Sequence, residues 1–283
     1  MIISVINHTN GRLLDEQVQE AIRAINRQIR EDFAPYWSLS AQLRLEGRSG
    51  PEPTTQTLPD MRGDAVLYLW DKSDVQDALG YHEKNNSGIP FGFVFLDIIE
   101  QFHESWTVTL SHEALEAILD PEVNLLVQGP HPADPTRDVF HWYEASDAVQ
   151  AETYKIDDVE VSNFVLPLYF TGGDETGGRN DFLGRSHNGQ TLKSFGINPG
   201  GYVGFYDPVT GDHDTFSMKG DLVAERRMKF KERAKEARRA VRHAMMRKAK
   251  PGTTETKIRS AKTASPATAL KPQQTKVVVP KQS

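Results

Sequence analysis

Thr109-Leu-Ser-His-Glu-Ala-Leu-Glu-Ala-Ile-Leu-Asp-Pro121 is the stretch from which the rest of the chain can be read. At about 100° per residue, Leu110, Ala114, Leu115, Ile118 and Leu119 share one broad face of a helix. His112, Glu113, Glu116 and Asp120 share an arc of about 100° on the other side. Pro121 stops the helix, because its ring cannot continue the hydrogen-bond ladder. The pattern predicts a helix over residues 107–120 that packs on a second layer. Its four ionisable groups either face solvent or build a site.

The spacing says what such a site could do. His112 and Glu116 stand at i and i+4, so both can point at one ion about 2 Å from each ligand atom. Glu113 sits beside them, where a carboxylate can take a proton from water on that ion. Asp120 is a poor ligand to the same ion, lying about 12 Å along the axis from His112; it either supports the site or ends the helix. A third ligand must come from elsewhere. Glu144, in Tyr143-Glu-Ala-Ser-Asp147, is one candidate, and His141 is its rival. Asp147 could buttress Glu144 or His112 by hydrogen bonding. A His-Glu pair occurs at His82, His103 and His112, but only His112 has a ligand type at i+4 on a patterned helix.

Working outward, residues 2–6 read as a strand. Asp15 opens a helix carrying Val18, Ile22, Ile25, Ile29 and Phe33, and Pro35 ends it. Further strands are expected at 38–45, 65–70 and 91–99, with loops at 47–63, 129–138 and 172–184. A strand-like stretch covers 159–170, and 200–206 has the aromatic, Gly-punctuated look of a hairpin arm. Strand, helix, strand, strand, strand, helix is the order of an α+β layer with helices on a mixed sheet.

Charge divides the chain. Residues 221–283 hold 18 Lys and Arg against 5 Asp and Glu, leaving 15 against 34 in residues 1–220. An acidic body therefore carries a basic tail, with expected boundaries 1–220, 221–250 and 251–283. Within 226–250, Phe230, Ala234, Ala237, Val241 and Ala244 form a thin stripe on a basic helix. That helix could dock on the acidic body, or bind nucleic acid phosphates or another acidic partner. Membrane binding is not expected, since the stripe lacks the Trp and Leu such helices bury. The remainder, rich in Thr, Ser, Ala, Lys and Pro, is expected to be disordered. With no cysteine, thiol nucleophiles, Cys-type zinc sites and disulfides are excluded. No apolar run approaches about 20 residues and no secretory leader is legible, so a cytoplasmic protein is expected.

The stretch 109–121 also resembles the signature of a family of bacterial and phage proteins carrying Ser-His-Glu-x-x-Glu-x-x-x-Asp-Pro. Ala78-Leu-Gly-Tyr-His82, Tyr143-Glu144 with Asp147, Val161-Ser-Asn-Phe164 with Pro167, and Pro199-Gly-Gly-Tyr202 resemble its other landmarks, in order over residues 1–215. The family is similar to the zincins, more particularly the gluzincins. The resemblance implies a zincin-like α+β fold and a metal-dependent, peptidase-like hydrolase acting on a peptide or protein. It implies an ion held by His112, Glu116 and Glu144, Glu113 as base, and Asp147 and Asp120 in support. It also implies that the strand at 91–98 lies at the sheet edge, where an extended peptide would pair. Glu116 stands where ordinary zincins have a second histidine, which loosens the preference for zinc towards manganese or calcium. Ser146 stands where relatives often carry Cys. Tyr202, Tyr169 and His187 are oxyanion-stabiliser candidates by chemical type alone. The alternative is a catalytically silent, zincin-fold structural or accessory protein of phage or mobile-element origin, its metal lost or structural and its basic tail binding nucleic acid or an acidic partner, virion-associated if phage-encoded.

Overall fold

The structure, a computed structural model, describes residues 1–48, 53, 57–71, 80–85, 87–171, 178–221 and 224. The expected basic helix and tail lie outside the described residues, apart from Asp221 and Ala224. What is described is a mixed α+β body with three sheets.

The first sheet has the order β2-β1-β3-β5-β4. Its strands are β1 (Ile2–His8), β2 (Gln42–Glu46), β3 (Ala65–Trp70), β4 (Gly80–Lys84) and β5 (Pro90–Phe95). β1, β2, β3 and β5 run parallel, whereas β4 runs antiparallel to β5 and closes the edge. The central strands are apolar on both faces, as a covered parallel sheet requires. β5, expected at the edge, lies inside the sheet. The strand expected over 91–99 stops at Phe95, because Leu96–Gln101 turns into the short helix α3.

Between β1 and β2 the chain runs through α1 (Asp15–Arg27), which buries Val18, Ala21, Ile22 and Ile25. Gln17 closes its first turn by accepting from the Leu14 N–H at 2.8 Å. The helix widens into a π-helical segment, Gln28–Phe33, and continues as α2 (Ala34–Trp37). Pro35 therefore sits in the first turn of α2 rather than ending the helix, at a position where its missing N–H is tolerated.

α4 (Trp106–Leu119) carries the decisive stretch, with Ser105 as its cap. It touches β4 and β5 on one side and β9 on another. Residues 107–119 are buried all round, so the polar stripe does not face solvent. β9 (Val159–Ser162) pairs with β8 (Thr153–Ile156), and the backbone of Ser162 is gripped from two directions. Its N–H donates to Ser111 Oγ at 2.7 Å, and its carbonyl accepts from Gln28 Nε2 at 2.7 Å. The strand-like stretch 159–170 thus yields a four-residue strand followed by a 3-10 turn, Pro167–Phe170. Asn163 anchors that bend. Its Nδ2 donates to Glu152 Oε2 at 2.7 Å and Asp181 Oδ2 at 2.9 Å.

The remaining sheet has the order β11-β10-β7-β6. It comprises β6 (Leu126–His131), β7 (Asp134–Trp142), β10 (Tyr202–Asp207) and β11 (Asp212–Ser217). The expected loop at 129–138 is largely this β6–β7 hairpin. Its prolines are tolerated because Pro130 is on an edge strand and Pro135 precedes the residues of β7 that pair with β10.

Candidate metal centre

α4 presents His112, Glu113 and Glu116 on one side, and two other parts of the chain close on them. From β4 comes His82, two residues after Gly80. A Cβ at Gly80 would lie 2.8 Å from Phe93 O, 2.9 Å from Thr109 Cγ2 and 3.0 Å from Glu113 Oε1. Only glycine allows β4 and α4 to approach this closely. The strand alternation then aims His82 at the same helix. Its Nδ1 lies 3.2 Å from Glu113 Oε2 and 3.7 Å from Glu116 Oε2, and its Nε2 lies 4.0 Å from Glu144 Oε2.

The other approach follows β7. Ala145 O accepts from Val165 N at 2.7 Å, and Asp147 opens the 3-10 turn Asp147–Val149. His112 Nε2 lies 3.1 Å from Glu116 Oε1 and 3.3 Å from Asp147 Oδ1. The Ser146 N–H donates to Glu116 Oε1 at 3.2 Å, and the Tyr202 hydroxyl donates to Asp147 Oδ1 at 2.5 Å. Tyr202 reaches that far because Gly201 packs against the turn, where a Cβ would lie 2.3 Å from Ala148 O.

Two overlapping triplets of ligand atoms result: His112, Glu116 and Asp147, and His82, Glu113 and Glu116. All five residues are buried, and Glu144 is the most open of the group at 16% side-chain exposure. Donor atoms about 2.0–2.1 Å from a tetrahedral ion stand about 3.3 Å apart. The separations of 3.1 and 3.3 Å around His112 lie near that spacing as well as within hydrogen-bond reach, and one imidazole with two carboxylates is a donor set that could hold a divalent cation.

Burial, the largest influence on each imidazole, opposes its charge, but the surrounding carboxylates overcome it. Glu113, Glu144 and Glu116 push His82 up to about 9. Glu116, Asp147 and Glu113 push His112 up to about 10. Burial, with Asp147 next in weight, drives the Tyr202 hydroxyl well above its ordinary value, keeping it a donor.

The residues singled out in the sequence thus separate. His112, Glu113 and Glu116 meet, joined by Asp147, with Glu144 near His82. Asp120 caps α4, and its Oδ2 accepts from the Leu125 N–H at 2.8 Å. His141 Nε2 is bonded to Pro130 O at 2.9 Å, and burial lowers its pKa. Tyr169 donates to Gly196 O at 2.9 Å, and His187 pairs with Glu152. His82 is the member the spacing did not single out; its signal was Gly80 two residues before it on a strand. Comparison of the chain with protein-family models, curated proteins and solved structures found no match.

Proposed function

We propose that this chain is a metal-dependent, zincin-like hydrolase acting on peptides or proteins. The observation that carries the reading is the convergence of His112 Nε2, Glu116 Oε1 and Asp147 Oδ1 on one buried point. Zinc suits that set, and its two carboxylates also admit manganese or calcium. The mixed sheet agrees, with its antiparallel edge strand β4 packed beside the helix that carries the motif. A divalent cation there supplies Lewis acidity towards a carbonyl and eases the deprotonation of water.

The chain's own groups do the rest. Ser146 N–H and Tyr202 O–H hold the carboxylates of Glu116 and Asp147 in place. The proton acceptor is one of the two neighbouring carboxylates, Glu113 or Glu144. In peptide hydrolysis the water oxygen adds to the carbonyl carbon and the C–N bond breaks. The proton passes through that carboxylate to the leaving amine. The basic segment 226–250 would recruit nucleic acid or an acidic partner separately from this chemistry.

The burial of the cluster favours one other reading, a catalytically silent accessory protein stabilised by its ion. Cleavage of a denatured protein mixture by tag-free, metal-loaded protein separates the two. A hydrolase loses cleavage with a chelator and with either Glu113→Gln or Glu144→Gln, while thermal stability is kept. Metal binding without cleavage selects the accessory protein, and absence of metal binding overturns both.

A further inference from the structure

The two carboxylate oxygens of Glu116 serve different partners. Oε1 lies 3.1 Å from His112 Nε2, on the side of Asp147. Oε2 lies 3.7 Å from His82 Nδ1, which in turn is 3.2 Å from Glu113 Oε2. Each side holds one imidazole, one carboxylate of its own and one oxygen of the shared Glu116. A carboxylate used in this way is a bridge, and two-metal hydrolytic sites hold their ions about 3.5–4 Å apart.

The charges point the same way. Glu113, Glu116, Glu144 and Asp147 carry up to four negative charges around two imidazoles in a buried volume. Two divalent cations with neutral imidazoles balance all four. Glu144 has a role in the same arrangement. It lies 4.0 Å from His82 Nε2, the ring nitrogen facing away from Glu113 and Glu116, beyond direct hydrogen-bond distance but beside the second histidine.

We infer that the centre is binuclear: His112 and Asp147 hold one divalent cation, His82 and Glu113 hold a second, and Glu116 bridges them. This rests on the metal-centre reading above and refines it. Glu113 becomes a ligand, and the proton acceptor falls to Glu144, the most exposed of the cluster carboxylates.

The test is metal stoichiometry and ion–ion coupling on the full-length, tag-free chain. Protein stripped with chelator is equilibrated with manganese, desalted and counted by mass spectrometry, then examined by electron paramagnetic resonance. Two equivalents are expected, with a spectrum showing two magnetically coupled manganese ions. His82→Ala should retain one equivalent, uncoupled, and Asp147→Asn should likewise retain one. A single equivalent unchanged by His82→Ala would overturn the second ion while leaving the first. Two equivalents without coupling would overturn the shared Glu116. No bound metal would overturn the metal centre altogether. The wild-type spectrum decides the matter even where a variant fails to fold.

Discussion

Loading the metal-free protein with zinc at pH 7 should expel about two protons. His82 at about 9 and His112 at about 10 are both essentially fully protonated at that pH. Their nitrogens must shed those protons before they can bind a cation. Imidazoles at the ordinary value of about 6.5 would be about a quarter protonated each and would release about half a proton together. Titration calorimetry in several buffers of different ionisation enthalpy measures the number directly, as the slope of apparent enthalpy against buffer enthalpy. About two protons are expected for a centre that engages both imidazoles, and about one for an ion at His112 alone. The apparent affinity should rise steeply between pH 7 and 9, by up to about a hundredfold per pH unit when both protons are displaced. Release of half a proton or less would refute the argument, because it would mean that the carboxylates do not hold the imidazoles charged.

Three further outcomes follow from the same contacts. In the metal-free protein both imidazoles have folded pKa values above the ordinary one. Their contribution to stability should be complete below about pH 6.5 and fade as pH rises through about 9 and 10; melting temperature against pH, with chelator present, checks the direction. Gly201→Ala should cost about 1–3 kcal/mol, since the new methyl meets the Ala148 carbonyl and must push β10 from the Asp147 turn; urea denaturation measures it. Asn163→Leu should cost about 1.5–3 kcal/mol by the same assay, because Glu152 and Asp181 lose the donor they share; an unchanged midpoint would mean that the pair is not held as described.

Local periodicity was sufficient wherever one element makes its own pattern. The 3.6-residue repeat put His112, Glu113 and Glu116 on one side of a helix, and an i, i+4 pair needs no other part of the chain to be adjacent. β1, β3 and the hydrophobic face of α1 are legible in the same way, because their apolar residues recur at their own element's period. β4 is not legible, because Gly-Tyr-His-Glu-Lys lacks the alternating apolar run that marks a strand. The prolines of the β6–β7 hairpin give it the pattern of a loop, since whether a proline disrupts a sheet depends on which strand lies at the edge.

Whether the stripe on α4 faced water or protein was likewise not a local property. β4, β5 and β9 packed against it decided that by burying residues 107–119. His82 lies 31 positions before Glu113, and Tyr202 lies 55 after Asp147. No spacing rule links residues so far apart; they meet because Gly80 and Gly201 permit close approach of backbones at two points. Local spacing is enough to put a histidine and two glutamates on one helix face and to nominate Asp147 and Glu144 as their neighbours. Tertiary packing brought up the second imidazole and set Asp147 beside His112 with Glu144 nearer His82, because contacts between distant segments are set by which surfaces can close on each other.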